Sequence, residues 1–175
     1  MQKQLKTKIV YTYSFRKYWK TIEYRKVSLF GTGGIYMSVR NLMIKDVISI
    51  SSAASVKDVA DLMLNKSVGS VIILENSEPI GIVTEGDLVR QVIAQNKDPN
   101  NSNVREVMSQ PLVIIGPNAS IDEAGEIMAR NGIERLPVIE DGKLVGIIAE
   151  QELTEWHAKE FEKVKRKLKL LSGKE

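Results

Sequence analysis

The sequence predicts an α/β (α+β) fold in which one β-α-β-β-α unit is used twice, followed by a long C-terminal helix. Three observations carry this. Residues 39–89 lie over residues 104–154 at a constant offset of 65 without a gap. In each copy, short apolar runs alternate with segments of helical period, the pattern of strands and helices in one supersecondary unit. After the second copy an apolar stripe continues at spacings of three and four residues, as one face of a helix requires. Identities under the register include Val39 with Val104, Arg40 with Arg105, Met43 with Met108 and Ile50 with Ile115. Ala54, Ser55, Met63, Glu75, Gly81, Ile82, Glu85 and Leu88 fall on Ala119, Ser120, Met128, Glu140, Gly146, Ile147, Glu150 and Leu153. Function is expected at the seam between copies, or where the copies differ.

Each copy opens with a helical turn and then a short apolar run, Val47-Ile48-Ser49-Ile50 or Leu112-Val113-Ile114-Ile115, which suits a buried strand. Ser55 with Asp58, and Ser120 with Glu123, have the spacing of an N-cap and its third-position acid. Val56, Val59, Ala60, Met63 and Leu64 then mark one helical face, as do Ile121, Ala124, Ile127 and Met128. The second runs are Val71-Ile72-Ile73-Leu74 and Leu136-Pro137-Val138-Ile139. The turns after them, Glu75-Asn76-Ser77-Glu78 and Glu140-Asp141-Gly142-Lys143, include Asp-Gly, a strong two-residue hairpin signal. Ile80-Gly81-Ile82-Val83 and Val145-Gly146-Ile147-Ile148 return, and a last helix starts near Glu85 or Glu150.

The polar residues 96–103 form a linker, so the expected layout is repeat 1 over 38–95 and repeat 2 over 104–158. A helical extension and tail follow over 159–175. In the extended helix Leu153, His157, Phe161, Val164, Leu168 and Leu171 make the stripe, with Lys159, Lys163, Arg166, Lys167 and Lys169 opposite. Intramolecular packing or a dimer contact is the expectation for such a helix, with a membrane surface as the minor alternative.

Residues 1–36 differ in kind from the rest. They hold eight Lys or Arg and one acid, a net +7, whereas the remainder carries −4, so the overall +3 averages two unlike pieces. All five tyrosines precede Met37. Three readings stand for this segment. It is an arm that binds nucleic acid by phosphate neutralisation and base stacking; it is an ordinary tail, strand or hairpin, since Tyr11, Tyr13 and Phe15 alternate; or translation begins at Met37. Under the third, the codons of Gly33 and Gly34 lie where a purine-rich ribosome-binding sequence would.

Composition excludes some chemistry. There is no cysteine, hence no disulfide, thiolate nucleophile or thiolate metal site. No apolar run approaches the roughly 20 residues that cross a bilayer, and the basic N-terminus lacks a signal peptide's apolar core. The expectation is a cytoplasmic protein with no membrane partner. The single histidine, His157, lies far from any candidate nucleophile, and neither a phosphate loop, a His-Glu-x-x-His nor an Asp-rich calcium loop is present. Glu85 with Asp87, and Glu150 with Glu152, are spaced two apart at helix starts and do not face each other. The reading is a non-enzyme with neither a catalytic cofactor nor a metal.

The gapless pair of β-α-β-β-α units, each with a Gly-hydrophobic-hydrophobic turn into its final helix, resembles a tandem cystathionine-β-synthase (CBS) domain pair, or Bateman module, of stand-alone type. The resemblance covers about residues 38–158. It implies two units related by a pseudo-twofold axis, packed sheets with two clefts between the units, dimerisation, and binding of adenine nucleotides or S-adenosylmethionine.

Gly81-Ile82-Val83-Thr84-Glu85-Gly86-Asp87 is similar to the family's Gly-h-h-Thr/Ser-x-x-Asp nucleotide motif. Thr84 would offer a hydroxyl to phosphate at a helix N-terminus, and Asp87 would accept hydrogen bonds from ribose hydroxyls; alternatively Thr84 is only an N-cap. The second copy has Ala149 and Glu152 at these places, so its site is expected to be weak or empty. Ile133-Glu134-Arg135-Leu136-Pro137-Val138 resembles the His-Arg-x-Pro-Val stretch of AMP-activated kinase gamma subunits. Arg135 matches, while Glu134 replaces the His and would repel a polyphosphate. By the same resemblance the partner repeat supplies the phosphate cation, so Thr84, Asp87 and Arg135 converge across the seam, unless Arg135 merely pairs with a nearby acid. Ile48, Ser49, Ile50, Ser70, Val71 and Ile72 are the implied walls of an adenine slot.

The expected function is a regulatory adenine-nucleotide sensor, for AMP first and ADP or ATP next, forming a homodimer and acting in trans on a partner protein. A structural dimerisation module with a vestigial cleft and an S-adenosylmethionine-binding module are the alternatives. Nucleic acid enters only if the segment 1–36 is real.

Overall fold

The structure, a computed structural model, describes residues 37–171; the readings of the N-terminal segment and of the C-terminal tail beyond 171 lie outside the described residues. Elements follow the expected order in the first copy and, except for the first strand, in the second. A lead-in turn α1 (Val39–Leu42) precedes β1 (Ser49–Ser51), α2 (Val56–Lys66), β2 (Ser70–Glu75), β3 (Glu78–Thr84) and the short α3 (Glu85–Asp87). The chain continues from α3 as a π-helical segment, Leu88–Ile93, where a plain helix was expected. The second copy runs from a 3-10 turn at Val104–Glu106 to α4 (Ile121–Asn131), β4 (Arg135–Glu140), β5 (Lys143–Ala149) and α5 (Glu150–Leu171).

Local chemistry places these elements. Ser55 caps α2 in a reciprocal capping box with Asp58, and the Ser120 hydroxyl accepts from the Glu123 amide at the start of α4. Both helices stop at a left-handed residue, Ser67 and Gly132, which satisfies terminal carbonyls. Both hairpins turn through two positive-φ residues, Asn76-Ser77 and Asp141-Gly142, the geometry that matches strand twist. The two hairpins break register at equivalent places, between Ile73 and Leu74 and between Val138 and Ile139.

The copies differ at the first strand. β1 pairs in parallel with β2, and the Ile72 amide donates to the Ile48 carbonyl at 3.0 Å. The expected counterpart over 112–115 is reduced to one bridge, Ile115 with Val138. The residue equivalent to Ile72 is Pro137, which has no N–H for Val113, so the ladder loses a rung. One sheet therefore has three strands and the other two.

The unit in space is not the unit in sequence. Val39 and Met43 of the first lead-in are buried with Ile115, Ile121, Ala124, Met128, Leu136 and Ile148 of the second copy. Val104, Val107 and Met108 are buried with Val56, Val59, Met63, Val71, Ile73 and Val83 of the first. Backbone bonds tie each exchange. Val39 and Arg40 amides donate to Ala119 and Pro117 carbonyls, and Ile44 pairs with Ile147 as Ser109 pairs with Ile82. Ion pairs repeat it: Arg40 with Glu140 and Arg105 with Glu75. Burial of these side chains contributes on the order of 1.5–3 kcal/mol each, so each half depends on a segment contributed by the other.

Helix α5, about 33 Å long at 1.5 Å per residue, uses only the first part of its stripe. Leu153 is buried in the second core and Trp156 packs on it, whereas Phe161 and Leu168 are exposed. No helix among the described residues is long and apolar enough to cross a membrane.

Candidate functional site

Strand β3 delivers Thr84 to the start of α3. There the Thr84 hydroxyl donates to Asp87 Oδ2 at 2.6 Å, the Thr84 amide donates to the same oxygen at 2.9 Å, and the Asp87 amide donates back to Thr84 Oγ1 at 3.2 Å. The pair is thus a complete capping box, and Asp87 is only 7% exposed. A buried carboxylate is tolerated because both of its oxygens accept hydrogen bonds. Its second oxygen, Oδ1, accepts from Arg90 at 3.1 Å. Arg90 follows Asp87 by three residues, hence lies on the same helical face.

Thr84, Asp87 and Arg90 line one side of a cleft of about 370 Å³, with Ile82, Glu85 and Gly86. The opposite side comes from the second repeat: Ser109, Leu112 and Val113, then Ile133, Glu134, Arg135 and Pro137. The structure therefore brings Thr84, Asp87 and Arg135 to one cleft across the seam. Arg135 is held there by space as much as by charge. A Cβ on Gly69 would stand 2.9 Å from an Arg135 guanidinium nitrogen and 3.2 Å from the Glu85 carboxylate. Glu134 lies beside Arg135, with 3.9 Å between carboxylate and guanidinium.

The six expected wall residues are elsewhere. Val71 and Ile72 are wholly buried, Ile48 and Ile50 pack against the first core, and Ser49 and Ser70 are paired in the sheet opposite Ile72 and Thr84. None of the six lines the cleft. Three of their six equivalents at the offset of 65 do: Val113 for Ile48, Arg135 for Ser70 and Pro137 for Ile72. The cleft lies between the repeats, and its far wall belongs to the partner repeat. Arg90, not singled out from the sequence, had a signal in its three-residue spacing from Asp87.

At the equivalent place in the second copy, Glu152 reaches back so that its Oε2 accepts from the Ala149 amide at 2.9 Å. The longer side chain keeps the cap, but Ala149 brings no hydroxyl. His157 Nε2 is buried without a hydrogen-bond partner among the described residues, and its ring meets Trp156 edge-on at 5.0 Å. Among the described residues no group of three His, Cys, Asp or Glu could hold a metal ion.

Comparison with known proteins agrees with this architecture. The chain belongs to the CBS-domain family, whose model, described as CBS domain, matches residues 39–94 and again 104–159. An uncharacterized protein of Methanopyrus kandleri is 40% identical over 119 residues, covering 67% of this chain and 61% of that one. The chain spans about three-fifths of the length of this relative and of an uncharacterized protein of Methanocaldococcus jannaschii that is 37% identical over 115 residues. Among solved structures, a hexameric CBS-CP12 protein from bloom-forming cyanobacteria is 32% identical with a TM-score of 0.64, covering 67% of this chain and 69% of that one. The CBS domain pair of protein MJ0100, in complex with 5′-methylthioadenosine and S-adenosyl-L-methionine, superposes at a TM-score of 0.66 over 71% of this chain and 98% of that one. At 20% identity that likeness bears on the fold alone.

Proposed function

We propose that this CBS pair, repeats 38–95 and 104–158 joined by 96–103, is a regulatory module that binds an adenosine ligand, AMP first, between its halves. One observation carries the reading: the Thr84–Asp87 pair of the first repeat and Arg135 of the second line a single cleft. Its volume of about 370 Å³ falls within the roughly 300–1,000 Å³ of small-molecule sites. Asp87 serves the ribose hydroxyls as acceptor, Arg135 serves the phosphate, and Leu112, Val113 and Ile133 offer apolar surface to the base. The bound ligand bridges two units that already share cores. At 100 times its dissociation constant it favours that arrangement by about 2.7 kcal/mol, enough to bias a dimer or a partner-facing surface. The output acts in trans on a partner protein, with no catalytic step in this chain.

A second reading, an S-adenosylmethionine module, is favoured by the acids Glu85, Asp87 and Glu134 outnumbering the bases Arg90 and Arg135 in the cleft, which suits a sulfonium cation. Calorimetric titration distinguishes them. Binding of AMP that is abolished by Asp87→Ala and weakened by Arg135→Ala supports the first. Binding of S-adenosylmethionine alone, indifferent to Arg135→Ala, supports the second. Absence of binding by every adenosine compound tried leaves a structural module.

A further inference from the structure

The two oxygens of Asp87 are not equivalent. Oδ2 accepts both the amide and the hydroxyl of Thr84, which occupies its two lone pairs. Among the described residues Oδ1 accepts only from Arg90. A ligand hydroxyl that uses Asp87 must therefore come to Oδ1, where Arg90 stands. Arg90 can leave at little cost, since its side chain is 66% exposed and such pairs are weak in water. Its approach depends on Gly86, where a Cβ would stand 2.7 Å and 3.0 Å from the two terminal guanidinium nitrogens.

We infer that Arg90 is a specificity residue with two positions. In the empty cleft it holds Asp87 Oδ1; when a ribose diol takes that oxygen, Arg90 turns to the anionic group of the same ligand, beside Arg135. The inference rests on the adenosine-ligand reading above and narrows it to ribonucleosides that carry a phosphate. A neutral nucleoside displaces Arg90 and gives it no new partner, in a cleft where Arg135 already has Glu134 beside it. A phosphate supplies that partner through a charge-assisted bond.

The test is calorimetry with AMP and with adenosine on the full chain, using the unaltered protein, Arg90→Gln and Arg90→Lys. Arg90→Gln is expected to weaken AMP on the order of tenfold while adenosine binds as well as before or better, and Arg90→Lys recovers part of the loss. The melting temperature without ligand reports whether each variant is folded. Equal weakening of both compounds means that Arg90 only positions Asp87 and overturns the inference, as does unchanged AMP binding; either result leaves the adenosine reading standing. Failure of the unaltered protein to bind either compound removes both together.

Discussion

The sulfur of Met108, carried by the second repeat's lead-in, stands 2.6 Å from the point where a Cβ on Gly81 of the first repeat would sit. Met43 repeats the relationship against Gly146, also at 2.6 Å, and there the Ile44 carbonyl stands 3.1 Å from the same point. Each glycine of the Gly-hydrophobic-hydrophobic turn is thus a seat for the other half's methionine. Gly81→Ala is expected to destabilise by about 1–3 kcal/mol through overpacking. Gly146→Ala is expected to cost more, because the Ile44 carbonyl is held by the Ile147 amide at 2.9 Å and cannot swing aside as a side chain can. Urea midpoints of the two variants check the order, and an equal or smaller cost at Gly146 would contradict it.

Thr84 has a structural task whatever the cleft binds. Thr84→Val removes the hydroxyl that bonds Asp87 Oδ2 and the Asp87 amide, for an expected loss of about 0.5–2 kcal/mol, while Thr84→Ser retains most of the stability. Denaturation of the two variants without ligand measures this separately from any binding effect.

On the nucleotide reading proposed above, Glu134 would limit ligand charge. It lines the cleft next to Arg135, so a phosphate added beyond the first would meet a carboxylate. Glu134→Gln is expected to raise the affinity for ADP and ATP several-fold relative to AMP. Competition titration reads the ratio, and an unchanged ratio would place the polyphosphate away from Glu134.

Acid stability should report the cap of α2. The Ser55 hydroxyl and amide hold the Asp58 carboxyl below its ordinary value of 3.8. A carboxyl lowered by folding stabilises above its unfolded pKa, and that contribution is lost as pH falls through the lower folded value. Asp58→Asn should therefore cost stability at neutral pH and flatten the fall in melting temperature below about pH 4. Parallel acid limbs for the two proteins would refute the assignment. Asp98, lowered by the Asn100 amide and the Asn100 and Asn101 side chains, remains in both proteins and contributes in the same direction.

Much of the site was legible because its signals are local. Thr84 and Asp87 are three residues apart and bond each other, so neither the motif nor the cap needed a fold to be seen. Arg135 was reachable from its own short stretch. The cleft walls were not, because Ile48 and Val113 occupy the same place in two similar copies, and only one faces Thr84. Pro137 was visible as a residue, but its effect on the first strand depends on Val113 lying beside it.

The sequence by itself determined the duplicated order of elements apart from the second copy's first strand, the caps at Ser55 and Ser120, the Asp141-Gly142 turn and the long last helix, since each follows from residues within a few positions of one another. Tertiary structure alone decided which core receives each lead-in turn. Val39, Arg40 and Met43 match Val104, Arg105 and Met108, and their receptors Glu75 and Gly81 match Glu140 and Gly146. Contacts within a repeat and between repeats would therefore join the same residue types, and residue chemistry cannot choose between them. The path of the chain makes the choice, crossing the lead-ins and building the cleft from both halves.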